Sequence, residues 1–157
     1  LTGLSNRRGF HLLAGQALLA AQLSGHGALM AFIDVDGLKR VNDDHGHDMG
    51  DAVITDVAGV LRGAVRDVDI LGRVGGDEFC VLIPREVDAA AFRRRVEQAL
   101  ADFNRSVRRP YVLSASIGLA QTAAGVPVTL DDLLARADEM MYADKRTRTP
   151  RISSMTD

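Results

Sequence analysis

The sequence predicts an α/β (α+β) domain with a mixed central β-sheet flanked by helices. Apolar residues recur at helical spacing in several separate segments, with strand-like runs between them. One Gly-Gly turn, Gly75-Gly76, joins two strand-like runs directly. A hairpin inside an otherwise alternating pattern favours a mixed sheet over an all-parallel doubly wound one. The chain has 157 residues, 46% hydrophobic and 25% charged. That size and composition suit one globular unit, so residues 1–157 read as a single domain.

The elements follow in order. Phe10, Leu13, Ala14, Ala17, Leu18 and Ala21 predict a helix over roughly Asn6 to Ser24, with Ser5 as N-cap and Gly25 as stop. Ala28 to Ile33 predicts a strand buried on both faces, ending abruptly at Asp34-Val35-Asp36-Gly37. The polar stretch from Leu38 to Gly50 reads as a short helix and a loop. Val53, Ile54, Val57, Val60 and Leu61 form the stripe of a long helix. Ile70 to Val74 and Glu78 to Ile83 read as strands around Gly75-Gly76-Asp77, where glycine tolerates positive φ. Phe92, Val96, Leu100 and Phe103 mark another helix. Tyr111, Leu113, Ala115, Ile117 and Leu119 alternate with Ser114, Ser116 and Gly118, which is strand periodicity. Thr129-Leu130-Asp131-Asp132 opens a last helix as a capping box, with Leu130, Leu133, Leu134, Ala137 and Met141 on its inner face.

Several function classes are disfavoured. The net charge of −2 argues against a nucleic-acid polymer as partner. No apolar run approaches the about 20 residues that a spanning helix needs, and no signal peptide is visible. The single cysteine, Cys80, excludes a disulfide framework, is compatible with a reducing compartment and reads as core. Neither a GxxxxGK[ST] phosphate loop nor a GxGxxG fingerprint occurs.

Acids at strand ends carry the chemistry. Asp34 ends one strand, and Asp77 and Glu78 sit at a hairpin between two others. If those strands are neighbours, the carboxylates converge at one edge as hard oxygen donors suited to Mg²⁺. Taken alone, the same acids also read as solvated loop charge. Asp34-Val35-Asp36-Gly37 fails as a calcium loop because its glycine comes too early. His45-Gly46-His47-Asp48 is a weak zinc pattern with no thiol nearby. Arg93-Arg94-Arg95, Arg105, Arg108 and Arg109 read as solvated charge, with anion binding the minority reading.

Assembled, these residues resemble a known family. Arg73-Val74-Gly75-Gly76-Asp77-Glu78-Phe79 contains an intact GGDEF signature. Leu1 to Arg8 resembles the family's LTGLxNRR opening, and Asp34 to Asp43 its DxDxFKxxND segment. Gly46 to Asp51 resembles GHxxGD, and Ser116-Ile117-Gly118 and Ala137 to Tyr142 resemble later motifs. The sequence is thus similar, over nearly its whole length, to the GGDEF diguanylate cyclase domain.

The resemblance implies a palm-like, nucleotide-cyclase-like fold. It implies a reaction joining two GTP into cyclic di-GMP with release of two pyrophosphates, by a homodimer with Mg²⁺ or Mn²⁺. Asp34, the Val35 carbonyl, Asp77 and Glu78 would hold the metal, and Asp77 and Glu78 would be the catalytic acids, Glu78 also as base. GTP would be bound by Gly37, Leu38, Lys39, Asn42, His47, Asp51, Gly75, Gly76, Lys145 and Arg148. Within that set Asn42 and Asp51 would read guanine, while Lys39 and Lys145 would take the phosphates. The family's usual late arginine falls on Thr149, so Arg148 or Arg146 would substitute. Arg66-Asp67-Val68-Asp69 fits the RxxD pattern that binds cyclic di-GMP as inhibitor, with Arg95 assisting. The chain resembles an excised catalytic domain of a longer multidomain protein. The domain itself is expected to be cytoplasmic, beside an upstream sensory or dimerising module that leaves membrane anchorage open. The alternative is a catalytically silent module that binds GTP or cyclic di-GMP.

Overall fold

The computed structural model describes residues 1–148. The elements run α1 (Arg7–Leu23), β1 (Ala28–Val35), α2 (Leu38–His45), α3 (His47–Ala64), β2 (Ile70–Arg73), β3 (Glu78–Ile83), α4 (Ala89–Ser106), β4 (Ala115–Thr122) and α5 (Leu130–Arg148). The strands lie in the order β2-β3-β1-β4. All pairs of named strands are antiparallel, and the parallel component of the expected mixed sheet is the bridge between Ser5 and Gly72. The cause is the path of the chain. Helices α2 and α3 carry it from β1 to β2, but β3 inserts between those two strands. This split β-α-β unit, repeated through α4 and β4, gives the ferredoxin-like order.

Strand alternation divides the core between the two sheet faces. Leu29, Ile33, Phe79, Val81 and Ile117 pack against α3 and α4, whose Val57, Leu61, Phe92 and Val96 are buried there. Met30, Phe32, Cys80 and Leu82 pack against α1 and α5 through Phe10, Leu18, Leu133 and Met141. β1 is buried along its entire length, as its unbroken apolar run requires. A Cβ at Gly118 would strike the backbone of Ala137 and Met141, so the glycine lets α5 close directly on β4.

Four local expectations are corrected. The N-cap of α1 is Asn6, whose Oδ1 accepts from the Gly9 N–H at 2.9 Å, because the Ser5 carbonyl is taken by the Arg73 N–H. The segment after Leu38 is two helices broken at Gly46, not a helix and a loop. The last strand starts at Ala115, not near Tyr111. The Leu113 N–H and carbonyl are both engaged by the Asn104 carboxamide, which withdraws them from any ladder. Finally, Gly75 and Gly76 do not adopt positive φ. A Cβ at Gly75 would meet the end of the flexible Glu78 side chain, which would then have to shift.

Candidate active site

β1 and β3 are neighbours, and their register pairs Asp34 with Glu78. The Val35 N–H donates to the Asp77 carbonyl at 2.9 Å, so the hairpin folds back over the end of β1. The acids expected to converge are therefore held at one sheet edge. Arg73, which the sequence reading passed over, fixes that hairpin by donating from Nε and Nη2 to the Gly76 carbonyl at 3.2 and 2.7 Å.

Asp34 is only 7% exposed. Burial first, then the charge of Asp77, pushes its carboxyl above the ordinary range despite the pull of Lys145. Glu78 is raised as well, by burial and then by the charges of Asp34 and Asp77. Lys145 Nζ on α5 lies 3.2 Å from Asp34 Oδ1. Burial pulls its ammonium down, but Asp34 more than offsets this and the net shift is upward. Partly buried acids that repel one another are a donor set of hard oxygens that a divalent cation would relieve. Among the described residues no three His, Cys, Asp or Glu side chains are gathered to hold a metal unaided. Mg²⁺ fits such a site, since it commonly completes its shell with substrate phosphate oxygens and water.

The turn after β1 places Gly37 at the N-terminus of α2 in the left-handed region, φ 72°, where a side chain would be strained. No side chain caps that terminus. Its first N–H groups lack intrahelical partners and face an anion favourably. Lys39 is exposed on the same turn. A cavity of about 560 Å³ opens beside it, lined by Asp36, Gly37, Arg40, Asp44, His45 and Arg109. Asp36 was another omission. Its two oxygens accept from the Ser114 and Ser116 hydroxyls at 2.7 Å each, and its N–H donates to the Ser114 carbonyl. This clamp ties the turn to β4. Asn42 lies against Gly50, where a Cβ would fall on Asn42 Oδ1. That close approach brings α2 onto the first turn of α3, next to Asp51, which is exposed. His47, the first residue of α3, is exposed too.

The chain as a whole has counterparts among known proteins. Residues 1–151 match the family described as "Diguanylate cyclase, GGDEF domain". The chain belongs to the GGDEF family. It is 34% identical over 155 residues to the diguanylate cyclase DgcP of Pseudomonas aeruginosa, covering 97% of this chain and 23% of that protein. It is 37% identical over 122 residues to the cyclic di-GMP phosphodiesterase NbdA of the same organism, covering 76% of this chain and 16% of that protein. The chain thus spans less than a quarter of either relative. The GGDEF domain of DgcB from Caulobacter crescentus, solved with c-di-GMP, superposes with a TM-score of 0.82 at 29% identity, covering 93% of this chain and 85% of that one. No helix among the described residues of this GGDEF domain is long and apolar enough to cross a membrane.

The other expected residues divide. Arg66 and Asp69 form one turn: the Arg66 N–H donates to Asp69 Oδ2 at 2.8 Å. Arg66 and Arg95 line a common cavity of about 160 Å³, although Arg95 also donates to the Ala64 carbonyl. Arg148 is bound to Asp144 and Glu97 at 3.0 and 2.9 Å, on the α4 side. Thr149 lies outside the described residues. Besides Arg95, two more arginines of that set are not simple solvated charge, which corrects that reading. Arg109 makes a two-pronged contact to Asp56. Arg93 donates to the Ile117 carbonyl and pairs with Asp144, whose carboxylate also accepts from the Ile117 N–H. Asp144 thereby pins the end of α5, next to Lys145, onto β4. These partners are far apart in sequence and leave no local signal.

Proposed function

We propose that this domain is a diguanylate cyclase that condenses two GTP into cyclic di-GMP and two pyrophosphates. The observation that carries the reading is the cross-strand pair Asp34–Glu78, folded under the Asp77 hairpin with Lys145 on Asp34. Asp34, Asp77, Glu78 and the Val35 carbonyl would hold Mg²⁺ or Mn²⁺. When bound, the cation supplies charge neutralisation at the triphosphate and lowers the pKa of the attacking hydroxyl. The first N–H groups of α2, with Lys39 and Lys145, bind the β- and γ-phosphates. On binding, Lys145 exchanges its Asp34 partner for phosphate oxygen. Arg148, tied to Asp144 and Glu97 through Nε and Nη2, can join through Nη1 or by leaving them. Glu78, the second acid of the hairpin, accepts the proton of the attacking 3′-hydroxyl. Asn42 and Asp51 read the guanine edge, the carboxylate accepting from N1–H and the exocyclic amine.

One domain holds one GTP, so a second copy in antiparallel orientation delivers the other. Cyclic di-GMP returns to Arg66, Asp69 and Arg95 as inhibitor. The deciding experiment is incubation with GTP and Mg²⁺ and identification of the product by mass. Cyclic di-GMP is expected from the wild type and none from folded Asp77→Ala or Glu78→Ala. GTP that binds without turnover would instead establish the silent module.

A further inference from the structure

The product-site cavity holds a third arginine outside the RxxD pattern. Arg85 follows β3 and lines the cavity with Arg66, Arg95 and Phe92. Its Nη1 donates to Asp69 Oδ1 at 2.6 Å. The other oxygen, Oδ2, is taken by the Arg66 N–H at 2.8 Å. The Asp69 side chain is 1% exposed, whereas that of Arg85 is 25% exposed. Arg85 therefore occupies one oxygen of the buried carboxylate that would read a guanine. In this state Asp69 offers no accessible acceptor.

We propose that Arg85 is a latch on the inhibitory site, one that the product must displace before Asp69 can read it. The inference rests on the reading that cyclic di-GMP binds at Arg66 and Asp69. Both partners of Asp69 are donors, and so are guanine N1–H and its exocyclic amine, so the base can replace Arg85 donor for donor. The exchange leaves no buried carboxylate unpaired. It lowers the apparent affinity by the fraction of molecules with Arg85 swung away. The latch thus raises the product concentration at which synthesis stops.

The test uses cyclic di-GMP itself, titrated calorimetrically onto the domain without GTP. Arg85→Met keeps the apolar stem and removes the donors. It is expected to bind cyclic di-GMP at least fivefold more tightly than the wild type. It should also gain more melting temperature on adding product, because the base then satisfies an otherwise unpaired Asp69. Arg85→Lys, which keeps a weaker donor, should fall between the two and serves if Arg85→Met does not fold. Arg66→Ala tests the underlying reading separately. If Arg66→Ala binds as tightly as the wild type, the product site itself is wrong. If Arg66→Ala weakens binding while neither Arg85 variant binds more tightly, the latch alone is overturned.

Discussion

At the scale of single residues, the pair Asp34–Glu78 sets a conflict between stability and chemistry. Both carboxyls are raised by burial and by neighbouring acids. A carboxyl raised on folding makes the folded chain hold more protons than the unfolded one between the ordinary carboxylate range and the raised value. Stability of the metal-free domain therefore falls as pH rises through that window and stays lower above it. Glu78→Gln removes one of the repelling charges. It should abolish synthesis yet raise the melting temperature at neutral pH by about 1–2 °C, a modest gain because Glu78 is only partly buried. That gain should vanish below the ordinary carboxylate range, and melting curves at two pH values check it. A lower melting temperature at neutral pH would mean that Glu78 is held by attraction. Base choice is a separate residue-level property. Asp51→Ser replaces an acceptor with a group that also donates, so preference for GTP over ATP should fall by about tenfold. Competition between the two nucleotides measures it directly, and unchanged preference would move base reading elsewhere.

At the scale of elements, the site depends on how firmly α2 and α5 are held to β4. Asp36 ties the turn before α2 to Ser114 and Ser116. On the proposed reading that the start of α2 binds the β- and γ-phosphates, Asp36→Ala should free that turn and raise KM for GTP more than it lowers kcat, since the hydroxyl attacks at the α-phosphate. Asp36→Asn, which still accepts one hydroxyl, should recover part of the loss. Equal change in KM and kcat for both variants would refute a positioning role. On the other side, α5 touches β4 at Gly118. Gly118→Ala forces backbone against backbone and should cost about 1–3 kcal/mol, read as a lower denaturation midpoint. It should also shift Lys145 off Asp34 and reduce turnover of the protein that remains folded.

At the scale of the whole molecule, the proposed reading gives one domain one set of acids and one phosphate site, so that closing a cyclic dinucleotide would need two copies. Specific activity should rise with protein concentration over about a hundredfold range, and a leucine zipper fused before Leu1 should raise it further through effective concentration. Activity that is flat across that dilution would contradict the two-copy arrangement.

Local patterns were legible in the sequence because they repeat within a few residues. The apolar periods placed α1, α4, α5 and the body of α3, whereas α2 lies in a polar stretch without buried residues and the first turn of α3 reads as a loop. Asp34, Asp77 and Glu78 stood out as acids interrupting strand-like runs, and the motif order from Leu1 to Tyr142 pointed to the family. The antiparallel sheet was not legible, since it depends on β3 inserting between β1 and β2, a choice made by packing both faces at once. The start of β4 was misread because Asn104, outside the strand, captures the backbone of Leu113. Asp69–Arg85 and Arg93–Asp144–Ile117 join residues from separate elements. Only the folded chain brings such charges within hydrogen-bonding distance, so the sequence determined which groups exist and the tertiary structure decided which of them meet.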